Sequence, residues 1–346
     1  MLKSGYNRGL LFSIKEKKRW VTDIVKFRKE AKQRFLREKP MNGSYMDYLK
    51  ALASHRFSYD EYMRYEMWKL SSKEREAFVS MAEMEQVYRK TGSREVKSIL
   101  NNKVRTLKVF HDYVYRRWCY VPDSTPEEVR GILSSSDCIV KPINGHSGSG
   151  IRMIQRMADA DWEELYRDMV QEQVLIEERI HGCKELESFH PGSLNTIRVV
   201  TISNGIETRV IGAIVRMGVG SGFIDNTHAG GLFAQIDEST GVIASDGVNM
   251  GGRHWVTHPD TGKTIKGVRI PYWGNVIATC INASKLLPNL CFAGWDISVH
   301  ENGNVEIIEV NAAPHFDGGM QLPQKKGVRN KVKKYLKELC GIKGII

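Results

Sequence analysis

Two acidic residues and an amide near the end of the chain carry the sharpest chemical signal. Asn302-Gly303 separates the apolar runs 295–299 and 305–310, and this dipeptide favours a tight hairpin. With Asn302 and Gly303 as the central turn residues, Asp296 faces Glu309, and Ile297 pairs with Ile308 on the other, apolar face. Asn311 then shares the acidic face. Like charges opposed across a sheet need a compensating cation or an arginine. Such oxygen ligands suit Mg²⁺, which takes one or two carboxylates and completes its shell with water and phosphate oxygens. Spacing alone leaves open an exposed hairpin whose acids sit in water.

A second signal is the run Lys141-Pro142-Ile143-Asn144-Gly145-His146-Ser147-Gly148-Ser149-Gly150. Small residues here let a backbone approach phosphates and offer amide hydrogens. The run has no G-K-[ST] ending and lies between two strand-like segments, so neither a P-loop nor a dinucleotide fingerprint fits. Lys141 ends an apolar strand, where its ammonium needs an anion. A bound phosphate or a structural carboxylate would each serve. Arg198 and Arg216 sit in or at the ends of a second apolar hairpin, 197–202 and 208–215 around Asn204-Gly205, and Asn226 and His228 follow.

The elements that position these groups fall into two kinds. Residues 10–35 space apolar side chains at helical intervals among lysines and arginines, a basic amphipathic helix. Ser58-Tyr59-Asp60-Glu61 and Ser71-Ser72-Lys73-Glu74 have the form of capping boxes, which predicts two further helices, the second ending near Gly92. Thr125-Pro126-Glu127-Glu128 starts another, with proline where a missing amide hydrogen costs nothing. Beyond it the pattern turns to strands, at 138–142, 151–154 and 174–178 before the two hairpins. The fold class is α+β, with a basic helical region at 1–92, a catalytic domain at 93–323 and a basic helix at 324–346.

The 346 residues suffice for two domains or one with an added lobe. No apolar run approaches a membrane span, and six scattered cysteines without metal spacing fit reduced thiols; the expectation is a cytoplasmic protein. Residues 1–40 carry 13 Lys and Arg against 4 acids and residues 324–346 carry 8 against 1, so of the net +11 the body holds −5. Basic ends attract polyanions, and peripheral association with an anionic inner-membrane surface is one reading; a solvated helix face is the other. Nucleic acid is not an expected partner, because no recognition motif accompanies the charge.

Taken in order, these segments resemble the ATP-grasp superfamily: Lys103; Lys141-Pro142 and the glycine loop; Ile176-Glu177-Glu178-Arg179-Ile180; Thr196-Ile197-Arg198-Val199; Arg216; Asn226-x-His228-x-Gly230-Gly231; Gly294-Trp295-Asp296-Ile297; and Glu309-Val310-Asn311-Ala312-Ala313-Pro314. The stretch His190-Pro191-Gly192-Ser193-Leu194-Asn195-Thr196-Ile197-Arg198 is similar to the sugar-transfer-associated ATP-grasp proteins of polysaccharide gene clusters, relatives of glutamate-ligase-type enzymes. The resemblance implies two α+β lobes clasping ATP, here preceded by an all-helical lobe. It assigns the phosphates to Lys103 and Lys141, covered by Gly145, Ser147, Gly148, Ser149 and Gly150. Adenine goes to a hinge at 176–181 through Glu178, Arg179 and Ile180, and Mg²⁺ to Asp296, Glu309 and Asn311. Arg198, Arg216, Asn226 and His228 lie towards the transferred phosphate and acceptor as catalytic groups. The ribose-binding acid is Glu185 or Glu187.

The implied activity is an ATP-dependent carboxylate–amine ligase, forming an amide through an acyl phosphate and releasing ADP. Its partners would be a small-molecule or saccharide carboxylate, such as a precursor of a surface polysaccharide, and an amino acid or amine. Positioning and charge neutralisation dominate phosphoryl transfer, so Asp296→Asn is expected to reduce turnover severely with the fold intact. The competing activities are a kinase acting on a hydroxyl and a nucleotide-regulated scaffold of a polysaccharide assembly complex.

Overall fold

The apolar runs from residue 118 onward form two antiparallel sheets in a computed structural model. The structure describes residues 18, 21, 22, 25, 45–143, 150–157, 162–222, 230–315, 320–321, 327–344 and 346. The smaller sheet holds β1 (Trp118–Tyr120), β2 (Cys138–Pro142), β3 (Arg152–Ile154) and β4 (Val174–Glu178) in the order β1-β4-β2-β3. Helices Pro126–Leu133 and Trp162–Glu172 cover it, burying Val129, Ile132, Leu133 and Met169 against Cys138, Val140 and Ile176.

The larger sheet holds β5 (Ile197–Ser203), β6 (Thr208–Met217), β7 (Leu232–Ile236), β8 (Gly247–Val248), β9 (His254–Trp255), β10 (Phe292–Val299) and β11 (Val305–Asn311). Their order is β11-β10-β5-β6-β7-β8-β9. One face packs on helix Trp273–Ser284 through Val199, Ala213, Val215, Trp295 and Ile297. The other face is divided. At one end Val200, Ile202, Ile211, Ile214 and Phe292 share a core with Tyr48, Tyr62, Phe78 and Tyr88 of the N-terminal helices and with Val332, Leu336 and Leu339 of helix Arg329–Cys340. Burying each such side chain is worth about 1.5–3 kcal/mol, so these helices complete the sheet that carries the candidate site. The remaining end of that face carries Arg198, Asp296, Glu309 and Asn311.

Helix starts follow the local chemistry. The boxes at Ser58 and Ser71 both form, and Thr125 caps the helix that opens with Pro126. The helix expected from Ser71 to Gly92 is interrupted after Arg75 and restarts at Met81 behind a third capping box, Ser80 with Glu83. The intervening backbone is engaged from outside. Gln321 bonds both polar groups of Val79 at 2.8 Å, and Arg329 donates to the Phe78 carbonyl at 2.7 Å. In the basic stretch 10–35 the described residues Lys18, Val21, Thr22 and Val25 are helical and exposed. Among the described residues no helix is long and apolar enough to cross a membrane.

Both hairpins turn differently from the Asn-Gly expectation. The Asn204 amide donates to the Glu207 carbonyl at 3.2 Å, which makes Gly205-Ile206 the two central residues, with Gly205 at φ +87°. Glycine at the first central position suits a type II′ turn, and Asn204 instead accepts the amides of Ile206 and Glu207 through its side chain. In the second hairpin His300 and Asn304 pair across three residues, Glu301-Asn302-Gly303. Val299 therefore faces Val305, and Ile297 faces Ile307 instead of Ile308. A β-bulge between Asp296 and Ile297 then restores the expected opposition of Asp296 and Glu309. The extra loop residue and the bulge cancel.

Candidate active site

The open end of the large sheet is built by register. Asp296 is opposite Glu309 on β11 and opposite Arg198 on β5, so all three side chains share one face. Asp296 is 4% exposed. Its carboxylate accepts Arg198 Nη2 at 2.7 Å and Arg216 Nη1 at 2.9 Å, and Arg198 Nε closes a second, bidentate contact. Burial pushes the Asp296 carboxyl up, and the two guanidinium groups outweigh it and hold the group below the usual carboxylate range. The opposed charges anticipated from sequence are thus relieved by arginine. Gly294 gives Arg198 room: a Cβ there would meet Pro314 Cβ at 2.7 Å and Arg198 Cδ at 3.4 Å. Glu309 is exposed and Asn311 half-buried.

Three of the roughly four acceptor positions of Asp296 are engaged, so Glu309 and Asn311 are the freer oxygen donors on this face. Among the described residues no three His, Cys, Asp or Glu converge on a metal site. A divalent ion held here would draw on one remaining Asp296 position, on Glu309 and Asn311, and on oxygens of a bound phosphate. That donor set fits Mg²⁺, which seldom has an all-protein cage.

Facing this end, the small sheet contributes Lys141 of β2 and Glu177 of β4, which form an ion pair. Lys103, on helix Lys103–Val109, donates to the Pro142 carbonyl at 3.0 Å. Burial lowers the Lys103 pKa; Glu309 and Glu177 oppose the shift and Lys141 adds to it. Lys103 therefore senses carboxylates of both sheets. The structural carboxylate allowed for Lys141 is present.

Arg116 was not singled out from sequence and is the link between the sheets. Its side chain is 2% exposed and bridges Glu177 at 2.8 Å and Glu306 of β11 at 2.6 Å. The Glu306 carboxylate also takes the amides of Tyr115 and Arg116 and pairs with His300 Nε2 at 2.7 Å. Burial raises the Glu177 pKa, and Arg116 and Lys141 reverse this, bringing it to about 2. A continuous chain, His300–Glu306–Arg116–Glu177–Lys141, buried at its three central members, thus runs from the hairpin turn to β2. Its one legible sequence signal is Glu306, a charged residue between the apolar Val305 and Ile307.

Where the chain leaves β4, Glu178 binds Arg117 in a fork at 2.6–2.8 Å. The amides of Glu178 and Arg179 donate to the Arg117 and Asp137 carbonyls at 2.9 and 2.7 Å. Ile180 follows, half-buried. Glu187 accepts the Gly182 amide at 3.1 Å and contacts His181, while Glu185 is exposed. The His190–Asn195 motif acts on the segment that follows β6, at Gly218 and Gly220. Asn195 Oδ1 takes the Gly218 amide at 3.2 Å, and His258 Nε2 meets the Gly218 carbonyl at 2.8 Å. His190 Nε2 meets the Gly220 carbonyl and Asp260 the Gly220 amide, both at 2.7 Å. A Cβ on Gly218 would lie 2.7 Å from His190 Nδ1. Gly150 is described, at φ +74°; Gly145, Ser147, Gly148, Ser149, Asn226 and His228 lie outside the described residues.

Two antiparallel sheets joined through Arg116, one carrying Lys141 with Lys103 beside it and the other carrying acids and arginines, define an α+β fold suited to a polyphosphate. The chain belongs to the sugar-transfer associated ATP-grasp family, whose sequence pattern it matches over residues 84–337. No curated protein sequence matches it. Solved structures it resembles include the ATP-grasp ligase PsnB complexed with minimal precursor, Mg and ADP, at 19% identity over 65% of this chain and 54% of that one, TM-score 0.40. They also include the D-alanine-D-alanine ligase of Coxiella burnetii, at 15%, 63% and 49%, TM-score 0.38. A third is the L-amino acid ligase of Bacillus licheniformis, at 13%, 67% and 48%, TM-score 0.39. The chain spans about half the length of these proteins.

Proposed function

We propose that the protein is an ATP-dependent carboxylate–amine ligase that uses Mg²⁺. The observation that carries this reading is the ion-pair chain Lys141–Glu177–Arg116–Glu306, with Lys103 bonded to the Pro142 carbonyl, which ties the phosphate-binding cations to β11, the strand of the metal-binding oxygens of Glu309 and Asn311. Lys103 and Lys141 hold the phosphates. Asp296, Glu309 and Asn311 hold the divalent ion, which neutralises phosphate charge. The amides of Glu178 and Arg179 are already engaged, so the adenine contact falls to Ile180 and the hinge carbonyls. Glu187, anchored at the hinge end through Gly182, is the ribose acid. Arg198 and Arg216, locked by Asp296, point fixed guanidinium charge at the transferred phosphoryl group and the later oxyanion. Asn226, His228 and the loop Gly145–Gly150 complete the acceptor and phosphate sides.

In this reaction a substrate carboxylate takes the γ-phosphoryl group, and an amine then displaces phosphate to leave an amide. The proposed acceptor is a carboxylated sugar or polysaccharide precursor, following the family description, and the donor an amino acid or amine. Residues 1–40, net +9, would hold the enzyme at an anionic membrane surface. On the C-terminal helix Arg329 and Lys331 are committed to Glu83 and Glu238, which leaves less of its charge for a partner.

Incubation with ATP, Mg²⁺ and paired acids and amines tests the reading by mass spectrometry. A ligase gives a product one water lighter than its parts, and hydroxylamine traps its acyl phosphate. A phosphate ester that hydroxylamine leaves unchanged identifies the kinase, and no ADP release with any acceptor leaves the scaffold.

A further inference from the structure

Six cysteines are present, and the structure separates them sharply. Cys119, Cys138, Cys183 and Cys280 are buried, whereas Cys291 and Cys340 are partly exposed and lie with their sulfurs 3.3 Å apart. Neither member sits on a loose segment. Cys340 is the last residue of helix Arg329–Cys340, which ends in a left-handed Gly341 at φ +66° and an Ile342 amide bonded to the Leu336 carbonyl at 3.0 Å. Cys291 directly precedes β10, and its carbonyl accepts the Ser203 amide at 2.8 Å. Closing the sulfurs to the bonding distance of about 2.05 Å needs a side-chain movement of roughly 1.2 Å.

The pair also opens to solvent in a suitable way. A pocket of about 330 Å³ is lined by both cysteines together with Lys90, Thr91, Ser93 and Asn289. A 330 Å³ opening admits part of a small molecule, and the Lys90 ammonium gives it a preference for anions. The two thiols share a hydrogen bond in which either sulfur can donate, and the arrangement with Cys291 as donor is the one that favours a thiolate at Cys340. That hydrogen bond raises the Cys291 pKa and holds the Cys340 thiol below its usual range. Cys340 is therefore the better thiolate, and Cys291 is poised to resolve.

We propose that Cys291 and Cys340 form a thiol–disulfide exchange site for a small anionic disulfide, ending as an intramolecular disulfide between the C-terminal helix and β10. The Cys340 thiolate attacks one sulfur of the small disulfide, forming a mixed disulfide and expelling one small thiolate. Cys291 loses its proton, attacks the Cys340 sulfur and expels the second. The protein loses two hydrogens and two electrons, and one small disulfide becomes two thiols. None of the residues lining this pocket belongs to the proposed nucleotide site.

The probe is oxidised glutathione, added to the full-length reduced protein. The expected product is lighter by two hydrogens, runs as a monomer, contains a Cys291–Cys340 peptide and melts at a higher temperature. Cys291→Ser is expected to stop at one glutathione on Cys340. Lys90→Gln is expected to slow the first step about tenfold with glutathione disulfide and leave an uncharged disulfide unaffected. Unchanged mass, glutathione retained on wild-type protein without an internal bond, or cross-linking between chains overturns the proposal. Equal rates for wild type and Lys90→Gln overturn the anion preference.

Discussion

Asp296 and Arg198 are direct cross-strand partners on adjacent strands, joined at both carboxylate oxygens in a position almost closed to solvent. This pairing changes the meaning of the obvious variant. Asp296→Asn would strand two guanidinium groups, so it is expected to cost about 3–5 kcal/mol of stability as well as activity. Glu309→Gln, on an exposed residue, is the cleaner probe of the metal role. It is expected to lower kcat by about 10²-fold or more with a melting temperature close to wild type. Thermal melts beside ADP-release rates separate the two, and undiminished turnover in Glu309→Gln would remove this carboxylate from the metal site.

Arg116 lies between Glu177 and Glu306 with its side chain 2% exposed. Arg116→Met leaves two buried carboxylates without their shared cation, and is expected to destabilise by about 3–5 kcal/mol. Adding Glu177→Gln and Glu306→Gln should recover much of that loss, while nucleotide affinity stays low because Lys141 has lost its fixed partner. Denaturant melts and ADP titrations on both variants check this.

Acid should reveal the same network. The Glu177 pKa is depressed from 4.5 to about 2, so its contribution is complete above pH 4.5 and disappears as pH falls towards 2. The unfolded chain takes up this proton first, and stability therefore drops on acidification. Glu177→Gln is expected to be less stable at neutral pH and to show a shallower decline by up to one proton over that interval. An unchanged slope in stability against pH counts against the assignment.

At the alkaline end Lys103 governs. Its pKa is lowered by burial, so its positive charge is lost as pH rises through a value below 10.5, the ordinary lysine value. Nucleotide affinity is expected to weaken over that range, and Lys103→Arg to hold affinity to higher pH. Binding titrations of Mg·ADP across pH 7 to 10 (about three units spanning the lysine range) read this directly.

Tyr88 ties the N-terminal helices to the site: its hydroxyl donates to the Pro314 carbonyl at 2.5 Å, three residues beyond Asn311. Tyr88→Phe is expected to cost about 1 kcal/mol and to raise the KM for nucleotide more than it changes kcat. A chain starting at residue 93 is expected to bind a hydrophobic dye and melt without cooperativity, because the sheet face bearing Val200, Ile202 and Ile211 loses its cover.

By itself the sequence determined what local rules govern: the capping boxes at Ser58 and Ser71, the strand runs, and the family through an ordered series of short motifs. It also placed Asp296 opposite Glu309, although through a two-residue turn where the chain has a three-residue loop offset by a bulge. Tertiary structure alone decided what neutralises Asp296, because Arg198 and Arg216 lie 80 or more positions away in sequence and meet it only through sheet order. The same holds for Arg116, whose partners on β4 and β11 belong to different sheets. A buried charge is stabilised by whichever opposite charge the fold brings to it, and that choice is made by strand order, register and packing, which no local spacing encodes.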